Sequence, residues 1–278
     1  MIFRSAAMRL RQVALVARDL ETAAARLERL LALPPAYHDP GIIEFGLDNW
    51  VAPLGDTFLE VVSPVREGTT AGRYLDKRGG DGGYMVILQV DDLARARTRL
   101  DTAGARIVWH ARGSGVGEER TEGLHVHPRD CGGAILSLDE ATPPEAWVWA
   151  GPSWAERASA LDARIVGVEM QSSQPEAMAQ RWSELLGLPH VRQQVGDVGA
   201  WTIDLARSPQ PPRGGVLRFV EDADGRGDGV SGLDLGLGDA SSRDELVRRA
   251  VGLGLEVQEH PTGVSLHEAG IRIHCLDD

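Results

Sequence analysis

The sequence predicts an α+β protein assembled from four βαβββ modules. Three observations predict it: a segment that recurs along the chain, an amphipathic helical pattern after each copy, and short apolar runs bounded by turn residues after each helix. The stretch QVALVARDLE from Gln12 to Glu21 runs in step with MVILQVDDLA from Met85 to Ala94. In each, a strand-like run leads to an Asp, a Leu and a helix.

In the first module, about residues 8–70, Ala23, Leu27, Leu30 and Leu31 fall on one helical face, and Asp19 stands where an N-cap belongs. The runs GIIEFGL, WVAPLG and TFLEVVSP then read as three strands. In the second module, about 80–140, Leu93, Ala96 and Leu100 repeat the helical face, after a turn-like DKRGGDGG stretch. The glycines Gly113, Gly115 and Gly117 lack the spacing of a dinucleotide fingerprint and no helix pattern follows them, so they read as a hairpin loop. Residues 141–163 form a Pro- and Trp-rich connector, with Trp147, Trp149 and Trp154 expected as packing anchors rather than a binding platform.

The third module, about 164–222, opens with RIVGVEM. Ser172, Ser173 and Pro175 signal a helix start, and Met178, Trp182, Leu185 and Leu186 share a face. The fourth, about 229–278, has Ser242 and Glu245 spaced as a capping box before Leu246, Ala250 and Leu253. Between these modules, Glu221 to Asp228 looks like a calcium loop, but Arg226 sits at an oxygen-ligand position and Leu233 at the twelfth, so it reads as a solvated connector.

Composition narrows the function. A net charge of -12 with scattered arginines argues against a nucleic-acid partner. Lys77 is the only lysine, which leaves no buried Schiff-base candidate. No apolar stretch approaches the roughly 18 residues of a membrane helix, and the opening lacks a signal-peptide core, so the expectation is a cytoplasmic protein without a membrane partner. Cys131 and Cys275 form no Cys-x-x-Cys pattern and are expected as buried thiols.

Three stretches carry a family resemblance: VALVARDLETAAARLERLL, FLEVVSP and HVHPRDCGGAILSLD. They are similar to the glyoxalase-like branch of the vicinal oxygen chelate superfamily, the glyoxalase, bleomycin-resistance and dioxygenase-like proteins. The resemblance implies two cupped, barrel-like sheets of paired modules with helices outside. One glyoxalase-like domain would span 1–140, and a second, degenerate one 164–278. It also implies a divalent metal held by four positions, which fall on Gln12, Glu60, Met85 and Ser137. Gln12 and Glu60 are weak candidates for metal ligands, whereas Met85 and Ser137 are poor ones for a hard cation. The same positions in the second half are Gly167, Arg218 or Phe219, Gly232 and His274; they cannot hold a metal, and they also exclude the two histidines and carboxylate of a dioxygenase iron.

The candidate catalytic residues are Glu60, His125 and His127. Alternation along Phe58-Leu-Glu-Val-Val62 places Glu60 on an inner face, and His125 and His127 share a face if their segment is a strand. Gln12, Asn49, Met85 and Ser137 are the candidate ligand-binding residues, while His38 and His110 read as surface or turn histidines. Three functions stay open: a first-half cup that binds a small polar organic molecule without a tight metal, with lyase or isomerase chemistry as the activity the resemblance implies; a metal-dependent lyase or epimerase using Gln12, Glu60 and one of His125 or His127; and a sequestering protein. The last is disfavoured by an aromatic content of 5%. Homodimerisation through exposed sheet edges is a further expectation.

Overall fold

The computed structural model describes residues 8–157, 159–195, 198–205 and 214–277, so the opening Met1 to Ala7 lies outside the described residues. The first module runs β1 (Met8–Val16), α1 (Leu20–Leu31), β2 (Leu47–Leu54), β3 (Thr57–Pro64), and α2 (Thr70–Arg78) joins it to the second. That module comprises β4 (Gly82–Val90), α3 (Leu93–Thr102), β5 (Ile107–Ser114), β6 (Arg120–Val126) and β7 (Ile135–Thr142). The third comprises β8 (Ala163–Ser172), α4 (Pro175–Leu186), β9 (Val191–Val195), β10 (Val198–Asp204) and β11 (Val216–Glu221). The fourth comprises β12 (Gly229–Leu237), α5 (Ala240–Gly252), β13 (Gln258–His260), β14 (Gly263–Glu268) and β15 (Ile271–Asp277).

Two curled sheets result, ordered β2-β3-β1-β4-β7-β6-β5 and β13-β14-β15-β12-β8-β11-β10-β9. In each, the opening strands of two modules pair antiparallel at the centre, β1 with β4 and β8 with β12, and each is flanked by the closing strand of its own module in parallel. The α+β class and the cupped pairing with outer helices are therefore as expected.

Alternation sorts the side chains. Val13, Leu15, Leu59 and Val61 turn outward under α1, whose Leu27, Leu30 and Leu31 are fully buried, each burial contributing roughly 1.5–3 kcal/mol. Asp19 caps α1 by accepting from Thr22 N at 3.0 Å. Ala14, Val16, Phe58, Val62 and Met85 turn inward and line the cup.

The elements depart from the sequence reading in five places. GIIEFGL is not a strand: Pro40 at a helical first turn, Asp39 accepting from Gly41 N at 2.8 Å, and Gly46 at φ 70° make Pro40–Phe45 a 3-10 turn. The first module thus keeps two strands after its helix, plus a single bridge between Tyr37 and Val51. Asp76, Lys77 and Arg78 of the turn-like stretch end α2, because Thr69 caps that helix and Gly79 closes it. The N-cap of α5 is Asp239, which accepts from Ser242 N at 2.7 Å. Ser242 itself accepts from Asp162 N, and Glu245 pairs with Arg249. His110 lies within β5, bonded to Glu122 at 3.1 Å, while His38 is exposed beside Asp48. Finally, the 221–228 loop is a clasp: Arg226 donates to the carbonyls of Arg78, Gly80, Asp81 and Gly270, and Arg78 donates to those of Arg226, Gly227 and Asp228.

Both cysteines are buried, and Trp182 of α4 donates to Cys131 O across the two halves at 2.6 Å. No helix among the described residues is long and apolar enough to cross a membrane.

Candidate functional site

The concave face of the first sheet holds a cleft of about 710 Å³. Its floor begins with Glu60 on β3, which is 6% exposed. Gln12 Nε2 donates to Glu60 Oε2 at 2.8 Å, and Asn49 Nδ2 donates to Oε1 at 2.7 Å. Burial raises the carboxyl above the usual range, with the two amide bonds opposing it. Among the described residues no arginine pairs with it; its hydrogen-bond partners are two neutral amides.

Gln12 reaches this place through a bulge. The β1–β4 register slips between Leu10 and Gln12, leaving Arg11 as an extra residue that re-aims its neighbour. Arg11 is buried over the rings of Phe58, Trp147 and Trp154, 5.0 to 5.4 Å from their centroids. Trp147 Nε1 in turn donates to Gln12 Oε1 at 2.7 Å. Asn49 is fixed by accepting from Asp39 N at 2.9 Å, at the start of the 3-10 turn.

From the second module, Met85, His125 and His127 line the cleft. Burial lowers the His125 pKa to about 4, so the imidazole is neutral at physiological pH. Only His125 lies in a strand. His127 follows β6, and its Nδ1 accepts from Arg129 N at 3.1 Å, capping the next turn. Ser137 is fully buried and does not line the cleft; its hydroxyl donates to Asp139 Oδ1. Asp139 does line it. Trp149 Nε1 donates to Asp139 Oδ2 at 2.8 Å, and burial pushes this carboxyl up to about 7 against both hydrogen bonds.

Asp139 is the residue that sequence reasoning missed, while Trp147 and Trp149, expected only as packing anchors, also bond groups of the site, a role the sequence did not show. Asp139 had a signal, since it lies two positions beyond Ser137 and so on the same strand face. The tryptophans had none, because the connector folds back over the concave face. Trp154 packs as expected, 5.0 Å from Phe58 edge-on.

The four expected metal positions do not fit a hard divalent cation. The Gln12 oxygen is taken by Trp147, Met85 offers a thioether, and Ser137 directs its proton at Asp139, which leaves Glu60 alone. Among the described residues, no group of three or more His, Cys, Asp or Glu is placed to hold a metal ion.

The second cup is filled differently. Arg218 faces inward and Phe219 packs behind against Trp182 at 6.0 Å. Arg218 pairs with Asp234 and Glu169, Arg272 and Ser231 also bond Glu169, and His274 Nε2 stands 3.4 Å from it. Although burial opposes it, these partners hold the Glu169 carboxyl well below the usual range. A Cβ at Gly167 would come within 2.3 Å of Asp234 Oδ2, so the ion pair occupies the space a ligand-bearing side chain would need.

Paired modules closing on a cleft with buried acids define an α+β cup of a recognisable class. A family model described as a glyoxalase-like domain matches residues 13–186, and the chain belongs to that family, within the vicinal oxygen chelate superfamily. It is similar to an ethylmalonyl-CoA/methylmalonyl-CoA epimerase from Cereibacter sphaeroides, 31% identical over 139 residues, 48% of this chain and 97% of the relative. The human mitochondrial methylmalonyl-CoA epimerase is 27% identical over 48% of this chain and 74% of its own length. Among solved structures, a mutant 4-hydroxymandelate synthase from Streptomyces coelicolor shares the fold, with TM-score 0.68 and 15% identity over 98% of this chain and 93% of that one. So does a Mn(II)-bound glyoxalase from Novosphingobium aromaticivorans, with TM-score 0.66 and 10% identity over 97% and 81%.

Proposed function

We propose that the N-terminal cup, within a domain of residues 1–140, binds a small polar organic molecule and moves a proton at a carbon beside its carbonyl group, as a lyase or isomerase of the epimerase kind. One observation carries this reading: Glu60 is buried at the floor of a ligand-sized cleft, held by two neutral amides and no cation. Such a carboxyl keeps a raised proton affinity, which suits a general base. Gln12 and Asn49 orient it, Met85 forms an apolar wall, and His125, held neutral by burial, and His127 supply polar contacts to the substrate. The degenerate domain, residues 164–278, serves as a structural partner.

The donor set does not fit a divalent metal, so no step is assigned to one. The reading is tested by following exchange of the α-proton of methylmalonyl-CoA in D2O, with chelator present. Exchange that Glu60→Gln removes supports it; exchange that appears only on adding a divalent metal returns the site to metal-dependent chemistry.

A second reading, non-catalytic sequestration, has its own observation. Aromatic residues are few, yet Tyr37, Phe45, Tyr84, Trp109 and Trp149 gather at this cleft. Tight binding of aromatic compounds without any turnover would favour it.

A further inference from the structure

We propose that Asp139 is a catalytic residue of the same cleft, donating a hydrogen bond to the substrate oxygen on which negative charge develops. The inference rests on the proton-transfer reading and adds the group that the second module contributes.

The geometry sets Asp139 apart from Ser137. Alternation along β7 puts both on the concave face, but only Asp139 lines the cleft, and the Ser137 hydroxyl is spent on it. A built recess receives the pair of Asp139 and Trp149. Gly123 stands opposite Asp139 on β6, and a Cβ there would lie 2.6 Å from Oδ2. A Cβ at Gly113 on β5 would lie 2.5 Å from the Trp149 ring. Two neighbouring strands therefore forgo a side chain where the carboxyl and the indole sit.

The groups facing Asp139 are neutral. Its register partners are Gln89 of β4, itself bonded to Arg9 and to Pro144 O, and Gly123 of β6; its hydrogen-bond donors are Ser137 of β7 and Trp149 of the connector; His125, held neutral by burial, stands opposite Ser137. No cation pairs with it, and burial pushes its carboxyl up to about 7, so the acid form is available at neutral pH. Through Ala14 and Met85, Glu60 on β3 is level with Ile135 on β7, so Asp139 lies three strand spacings across and four residues further along, and the curl of the sheet sets both carboxyls on the lining of one cleft.

The step balances without a co-reactant. Glu60 carboxylate takes the proton from the carbon beside the carbonyl. The C–H electron pair becomes a C=C bond while the carbonyl π pair moves onto oxygen. The Asp139 acid proton hydrogen-bonds that oxygen, and return of the proton from Glu60 to carbon completes the cycle. A buried neutral carboxylic acid of this kind stabilises an enolate without a full positive charge.

The test uses the full chain with methylmalonyl-CoA and chelator in D2O, from about pH 5 to about pH 9. Asp139→Ala is expected to slow α-proton exchange by roughly 100-fold or more. Asp139→Asn, a neutral donor at every pH, is expected to stay within roughly 10-fold of wild type and to lose the fall in rate above about pH 7. An asparagine variant as slow as the alanine variant overturns the donor role, as does an alanine variant as fast as wild type. Infrared difference spectra of wild type minus Asp139→Asn provide a substrate-free readout: a protonated carboxyl band below about pH 7 is expected, and its absence overturns the inference even if exchange is seen. No exchange by wild type overturns the proton-transfer reading itself, and this inference with it.

Discussion

Two buried carboxyls with different surroundings line the first cup. Glu60 accepts from Gln12 and Asn49, whose oxygens are held by Trp147 and Asp39 N, so Glu60→Gln preserves the shape but keeps one of the two bonds and removes the carboxylate. The expected outcome is a loss of exchange rate of roughly 10²- to 10⁴-fold with a stability loss of roughly 1–3 kcal/mol from the unpaired amide donor, measured by exchange in D2O and by melting. Asp139 makes a separate prediction about pH. Its folded-state carboxyl holds a proton up to about pH 7, whereas the unfolded chain releases it near 3.8. Stability from this group is therefore full below the lower value and is lost as pH rises through the higher one. The difference corresponds to up to about 4 kcal/mol at alkaline pH. Asp139→Asn, which carries no ionisation cost, should melt above wild type at about pH 8 and near or below it at about pH 5, by calorimetry at the two values.

At the scale of elements, the recess behind Asp139 depends on the strands that face it. Gly123→Ala should force the carboxyl or β6 to move, since its Cβ would meet Oδ2 at 2.6 Å. The expected loss is roughly 1–3 kcal/mol together with a displaced Trp149, read by melting and by indole fluorescence. Packing of α1 gives an independent check on the outer layer: Leu27→Ala, at a fully buried site, should cost roughly 2–5 kcal/mol without altering the cleft. Most of these elements were legible in the sequence. The Asp19 cap, the Leu27 face and the Glu60 alternation follow local periods that tertiary packing left intact. The 3-10 turn at Pro40–Phe45 was not, because an apolar IIEF run has strand chemistry and only Pro40, Asp39 and Gly46 together override it. The inner floor was half legible. Gln12, Glu60 and Asn49 come together as their strands imply, but Trp147 reaches Gln12 from 135 residues away, and no local pattern encodes that contact.

Over the whole molecule, the two sheets share outer helices and a clasp rather than a simple linker. Arg226 satisfies four carbonyls in two stretches, 78–81 and 270, so Arg226→Ala should leave several oxygens unpaired and loosen the join. Separate unfolding transitions for the two halves, where wild type shows a single one, would be the calorimetric outcome. The second cup, with Arg218, Asp234, Glu169 and Arg272 paired among themselves, needs no ligand to balance its charge. The segment between the sheets has a different consequence, one that concerns biosynthesis. Trp147 and Trp149 complete the first cup but follow its last strand in the chain. Until residues 143–150 fold back, the first half has all its strands but an unfinished floor, with the Gln12 oxygen and Asp139 lacking their indole partners. The floor of the cup is therefore completed by a segment made after all of the strands it covers.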